Sequence, residues 1–123
     1  MQSAALTYEI IGAAMEVHSL LGPGFLESIY KNALLHELSL RGIQTQVEEE
    51  VCIAYKNRTV GKHRLDIIAN GTVIIELKAV PAISDLHIAQ SLSYLTATRL
   101  ELALILNFGG PSLSWKRLIK SRG

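Results

Sequence analysis

Cysteine is nearly absent from this 123-residue chain: Cys52 is the only one. One thiol cannot close an intrachain disulfide, which agrees with a reducing compartment, and Cys52 reads as a small core or strand residue. Long apolar runs are missing too. None is long enough and free enough of charge to cross a bilayer, and Met1 is not followed by a basic segment leading into an apolar signal core. A cytosolic protein with no membrane partner is expected. Excess charge is lacking: a formal net charge of +1 excludes binding of nucleic acid by overall charge, so any such binding must use a local patch. The one candidate run is "WKRLIKSRG", with Lys116, Arg117, Lys120 and Arg122, and it reads equally as a solvated terminal strand. There is no Pro/Ser/Gly-rich linker, repeat, P-loop, dinucleotide glycine fingerprint or Ser/Cys nucleophile motif. His18 and His63 have no metal-ligand spacing with each other or with Cys52, which sets zinc aside.

What is present fits one domain, residues 1–123, with a single core. From Ser3 to Leu21, Leu6, Ile10, Ala13, Ala14, Val17 and Leu21 recur at three- and four-residue steps and predict an amphipathic helix. Gly22-Pro23-Gly24 ends it. A second helix is expected from about Phe25 to Arg41, with Ile29, Leu34, Leu35 and Leu38 inward and Gly42 as its stop. The period then changes. "IQTQVEEEVCIAY" alternates like a strand, "KNRTVGK" reads as a turn, and "HRLDIIANGTVIIELKAV" forms two strand-like runs around Asn70-Gly71, a strong hairpin signal. Ser84 can cap a third helix reaching to about Thr98. "ELALILNF" reads as a strand covered on both faces, and "SLSWKRLIK" as the last strand. The expected class is α/β in the broad sense, a mixed sheet flanked by helices in the order ααβββαββ.

Chemistry concentrates in "IIELKAV". Strand alternation puts Glu76 and Lys78 on one face and Ile75 and Leu77 on the other. Taken alone, the pair reads as an exposed face with a cross-strand salt bridge, for instance to Arg64. Asp66, which interrupts "RLDIIA", adds a second carboxylate close to Glu76 if the hairpin forms, and two such carboxylates repel unless a cation joins them. A hard divalent cation suits the place: Mg²⁺ takes oxygen ligands, needs only one or two carboxylates and keeps waters that become nucleophiles. The Leu77 carbonyl offers a further oxygen. Lys78 would stand beside the water and a phosphate as a positive stabiliser and proton acceptor.

Asp66 followed by Glu76-x-Lys78 on a hairpin resembles the PD-(D/E)xK nuclease superfamily, and Gly24-x-x-Glu27-x-x-Tyr30 resembles the signature of its small GxxExxY family. The resemblance runs from "IIGAAMEVHSLLGPGFLESIY" through "DIIANGTVIIELKAV" and "HIAQSLSYL" to "LILNFGG". It implies a restriction-endonuclease-like core and hydrolysis of phosphodiester bonds in nucleic acid, with DNA the expected substrate, by a water activated by Mg²⁺, or by Mn²⁺ in its place. By that resemblance Asp66 and Glu76 match the metal-binding acids and Lys78 the catalytic lysine. Glu27 matches an acid that many members place on a helix before the sheet. Gln90 and Tyr94 in "QSLSY" match the QxxxY element of RecB-type nucleases. Tyr94, Tyr30 and His87 are then substrate-contact candidates. Leu65 stands where the superfamily's proline would be.

Each residue also has a plainer role. Glu27 suits a helix start, Tyr30 a core site, Gln90 and Tyr94 a buried polar brace, and His87 ordinary packing. The rival function is a non-catalytic module binding nucleic acid or protein on the same fold, and a further reading is a structural strand pair neutralised by Arg64 and Lys78. A homodimer would suit so small a nuclease acting on a duplex. The hairpin register decides between them. A two-residue Asn70-Gly71 loop would put Asp66 and Glu76 on opposite faces. A three-residue loop, Ala69-Asn70-Gly71, with positive φ at Gly71, pairs Ile68 with Thr72 and puts both acids on one face.

Overall fold

The computed structural model describes residues 3–120. Arg122, part of the basic run, lies outside the described residues. Helix α1 spans Ser3–Leu21 and α2 spans Glu27–Leu40. Five strands follow: β1 (Thr45–Val47), β2 (Glu50–Tyr55), β3 (Arg58–Arg64), β4 (Ile67–Ala69) and β5 (Val73–Lys78). Then come α3 (Asp85–Thr98), β6 (Leu102–Asn107) and β7 (Ser114–Ile119). A five-stranded sheet has the order β1-β4-β5-β6-β7, with β5 and β6 parallel and every other pair antiparallel, and β2-β3 is a separate two-stranded ribbon.

Local chemistry sets the helix limits. Gly42 ends α2 at φ +75°, and the Gly42 and Ile43 N–H groups donate back to the Ser39 and Leu38 carbonyls. Ser84 caps α3: its hydroxyl accepts from the His87 N–H while His87 Nδ1 accepts from the Ser84 N–H. Along α1, Leu6, Ile10, Ala13, Ala14 and Val17 are buried as the spacing predicts, but Leu21 is exposed at the helix end. In α2, Leu34 and Leu38 face inward; Ile29 is exposed and Tyr30 takes the core position instead.

The sheet is covered on both faces. Ile67, Ala69, Val73, Ile75, Leu77, Leu102, Leu104 and Leu106 share a core with α1 and α2, while Ile68, Ile74 and Ala103 pack with Leu95 of α3. Every β6 residue is buried, as a strand covered on both sides requires.

The mixed sheet flanked by helices is as expected, yet five strands precede α3 where three were expected. The chain changes sheets twice. Glu48, at φ +54°, ends β1 so that the following residues leave for the ribbon, and Leu65-Asp66 brings the chain back. These two corners meet: the Glu48 N–H donates to the Asp66 carbonyl at 3.3 Å and the Leu65 N–H to the Glu49 carbonyl at 2.9 Å. "KNRTVGK" contains a turn only at Lys56-Asn57, both at positive φ and closed by the Tyr55-Arg58 pair; the rest is strand. Cys52 is on a strand as expected but is exposed rather than core.

Beyond β5 the chain is locked to the end of β6. The Phe108 N–H donates to the Lys78 carbonyl at 2.8 Å. Buried Asn107 accepts from the Val80 N–H through Oδ1 and donates to the Val80 carbonyl through Nδ2, both at 3.0 Å. Gly109 lies so close that an added Cβ would fall 2.3 Å from the Val80 carbonyl oxygen. Gly109→Ala is therefore expected to cost about 1–3 kcal/mol through forced backbone shifts. Gly61→Ala, where a Cβ meets nothing within 4 Å, should be neutral or slightly stabilising. Chemical denaturation of both variants checks this; equal midpoints would remove the proposed lock.

Candidate active site

The β4–β5 pairing is Ile67 with Ile75, Ile68 with Ile74 and Ala69 with Val73, which leaves Asn70-Gly71-Thr72 as the loop. This differs from the expected pairing of Ile68 with Thr72, yet the loop still has three residues and the parity is the same. Gly71 is at φ +68° and Asn70 at φ +49°. Asn70 tolerates that conformation while its Oδ1 accepts from the Gln44 N–H and its own N–H donates to the Gln44 carbonyl. Asp66, immediately before β4, therefore comes opposite Glu76 on the α3 face of the sheet.

The two acids are in contact. The Asp66 N–H lies 3.4 Å from Glu76 Oε1, and the Leu77 N–H donates to Asp66 Oδ2 at 2.9 Å. At Leu77 the neighbouring strand has ended, and the Asp66 carboxylate serves as acceptor where a strand carbonyl would. Glu76 is 5% exposed. Burial first, then the charge of Asp66 and a hydrogen bond from carboxyl to carboxyl, push the Glu76 pKa up to about 8, against a smaller opposing effect of Lys78. A buried carboxyl against a half-buried one, with one adjacent ammonium, is a place where full ionisation would leave one negative charge uncompensated. The pair keeps a proton or takes another cation.

Tyr94 of α3 faces this pair, and burial together with Glu76 and Asp66 raises its pKa. Its ring stacks on His63 of β3 with centroids 4.1 Å apart, and its hydroxyl lies 3.3 Å from His63 Nδ1. Burial lowers the His63 pKa, Asp66 opposing and Lys78 assisting. Sequence reasoning weighed His63 only as a zinc ligand. The usable signal was its place opposite Val51 on the ribbon face that turns inward, which is visible only once Lys56-Asn57 is recognised as the turn. Gln90, one helical turn before Tyr94, is exposed and lines a groove of about 600 Å³ with Tyr94, Ile53 and Ala54.

The other candidates lie elsewhere. Tyr30 is fully buried; its hydroxyl donates to the Gly22 carbonyl and accepts from the Phe25 N–H, and its ring stacks on Phe108 at 4.7 Å. No atom of it is free to touch a substrate, so its role is corrected to a core brace. His87 forms one half of the α3 capping box through Nδ1 and is partly exposed. Glu27 opens α2, exposed, with no hydrogen bond or ion pair to the acid pair. It sits toward the Lys78 end of β5, because Tyr30, one turn on, stacks on the residue whose N–H binds the Lys78 carbonyl. Arg64 does not neutralise the acids; it lies 3.9 Å from Glu48. Among the described residues no three His, Cys, Asp or Glu side chains converge as a metal cluster. Two carboxylates suffice for Mg²⁺, which keeps several waters, and the proton-holding pair fits such an ion.

A family model described as "PD-(D/E)XK nuclease superfamily" matches residues 4–118, and the chain belongs to that superfamily. The solved structure "Crystal structure of SSO0001" is similar with a TM-score of 0.59 and 17% identity, over 78% of this chain. The aligned part is 50% of that chain, and the likeness is one of fold. No curated protein matches.

The Glu76 proton gives a stability test. Unfolded, Glu76 loses it near pH 4.5; folded, near 8. Between these values the folded state binds more protons, so its stability falls as pH rises. Without divalent cations, stability should drop by a few kcal/mol, roughly 2–4, between pH 5 and 8.5. Glu76→Gln should flatten that slope, and urea midpoints across the range measure it. A wild-type slope matching that of the Gln variant would mean the carboxyls are not coupled.

Proposed function

We propose that this chain is a Mg²⁺-dependent nuclease that hydrolyses phosphodiester bonds, with DNA as its substrate and Mn²⁺ able to replace Mg²⁺. The observation that carries the reading is the contact of buried Glu76 with half-buried Asp66 on the face that also carries Lys78 at the end of β5. Asp66, Glu76 and the Leu77 carbonyl would hold the ion. Once bound, it lowers the pKa of a coordinated water and neutralises charge on the phosphoryl oxygens. Lys78 supplies a positive charge beside the attacked phosphate and takes part in proton transfer. Gln90 and Glu27 orient water, Glu27 from the second helix. Tyr94, held flat by His63, forms the wall against which the substrate rests. Contacts would go mostly to phosphates, with little base specificity.

The Gly24-x-x-Glu27-x-x-Tyr30 signature favours the GxxExxY family within the superfamily. We read residues 1–123 as one domain acting in the cytosol, with a two-fold dimer suited to a duplex substrate. A non-catalytic binding module is the second reading. The near-neutral net charge favours it, and the joint presence of both acids and the lysine opposes it.

A cleavage panel of single-stranded, duplex and branched DNA and RNA tests the proposal. Lys78→Ala is expected to reduce cleavage by about 10²-fold or more while keeping the rise in melting temperature that Mg²⁺ gives. Asp66→Asn should lose both. Cleavage by Lys78→Ala at the wild-type rate would overturn the lysine's role; no cleavage of any substrate by wild type favours the binding module.

A further inference from the structure

The β2–β3 ribbon stands apart from the sheet. Its base is anchored through Val51 and the neighbouring Leu65 in the α3-side core, while every residue from 54 to 62 is exposed. Over Glu50–Arg64 it carries Lys56, Arg58, Lys62 and Arg64 against the single acid Glu50, a net +3. The whole chain is +1, so everything outside the ribbon sums to −2. The positive charge is concentrated in this one segment. Lys62 and Arg64 lean on Glu50 and Glu48 at 3.5 and 3.9 Å, exposed pairs that hold little energy. Lys56 and Arg58 at the tip have no ion pair among the described residues, and Lys56 rests over the exposed Tyr55 ring at 5.4 Å. Among the described residues the C-terminal basic run gathers no equivalent patch. Strand alternation sends Lys116 and Arg117 to opposite faces of β7, and Lys120 donates to Thr96.

The ribbon is also tied to the acid pair. Its His63 stacks on Tyr94, whose hydroxyl feels Glu76 and Asp66. From His63 to Arg58 the strand runs about 17 Å, which is about five steps along one strand of a duplex. Two strands about 4.8 Å apart, with their side chains, match a B-form major groove about 12 Å wide; the major groove of A-form RNA is too narrow and deep to be entered. We infer that the β2–β3 ribbon is an arm that enters the major groove of B-form duplex DNA, with Lys56 and Arg58 on the flanking phosphates, and so holds the duplex against the acid pair. The inference rests on the nuclease reading for its substrate class.

The test is binding of labelled 25-base-pair duplex DNA, single-stranded DNA and duplex RNA in Ca²⁺ over a range of salt. The variant is Lys56→Gly with Arg58→Gln; glycine suits the positive φ at position 56, and an unchanged melting temperature shows that the variant folds. Duplex DNA affinity is expected to fall at least tenfold at low salt. The slope of log affinity against log salt should shrink by about 1.8, the value for two phosphate contacts. Binding of duplex RNA should change much less. Unchanged duplex-DNA affinity and slope in the variant overturns the arm while leaving the nuclease reading intact, as does an equal loss on all three ligands, which would mean a general charge effect. A wild type that binds none of the three overturns both. Should the variant unfold, Arg58→Glu alone replaces it, with a loss on duplex DNA again expected.

Discussion

Asp66 and Glu76 face each other because the β4–β5 turn holds an odd number of residues, and a turn shorter by one would put them on opposite sides of the sheet. Much of the surrounding structure follows from the need to hold two like-charged groups together. Asp66 stands at the corner where the chain returns from ribbon to sheet, so its side chain is free to turn onto the Leu77 N–H while its backbone still bonds Glu48. That bond spends one carboxylate oxygen on the protein. Glu76, with β6 beside it, has only the long 3.4 Å contact from the Asp66 N–H, and burial together with the Asp66 charge keeps its proton on.

The lysine end of β5 is fixed from two directions. On one side Asn107 and Gly109 clasp Val80, so the backbone leaving Lys78 has no freedom to peel from β6. On the other, Phe108 bonds the Lys78 carbonyl and offers its ring to Tyr30, which links the α2 start to the same point. Tyr30 thus serves the site through the scaffold: its hydroxyl ties the Gly22–Phe25 loop that precedes Glu27.

The elements with strong local signals were legible in the sequence: α1, α2 and α3 from periodicity and caps, β6 from its unbroken apolar run, and Asp66, Glu76 and Lys78 from charges placed where apolar residues belong. Two hairpin registers were open to the sequence, and the odd-numbered loop that puts the acids on one face was the one a shared ion requires. The ribbon was not legible. Nothing in the alternation of "IQTQVEEEVCIAY" marks Glu48 as a break, because a positive φ at a glutamate is imposed by the crossing of two chain segments and not by the residue's own preference. With that break hidden, Lys56-Asn57 was absorbed into a longer turn and His63 lost its inward face. Tyr30 was misplaced for a different reason. A hydroxyl looks available in a sequence until the backbone groups that use it are seen.

The site is also compact along the chain. Apart from Glu27, its residues lie between His63 and Tyr94; the acid pair closes over 10 residues and the tyrosine–histidine stack over 31, whereas the His18–Gly110 hydrogen bond spans 92. Loop-closure entropy grows with the logarithm of length, which makes the acid contact about 2 kcal/mol less demanding to form than the longest one. Contacts of this kind can assemble before the distant ones. The elements that bury the pair, β6 and α3, come later in the sequence than the contact itself. The desolvation that raises the Glu76 pKa is thus supplied from outside the short segment that brings the two carboxylates together.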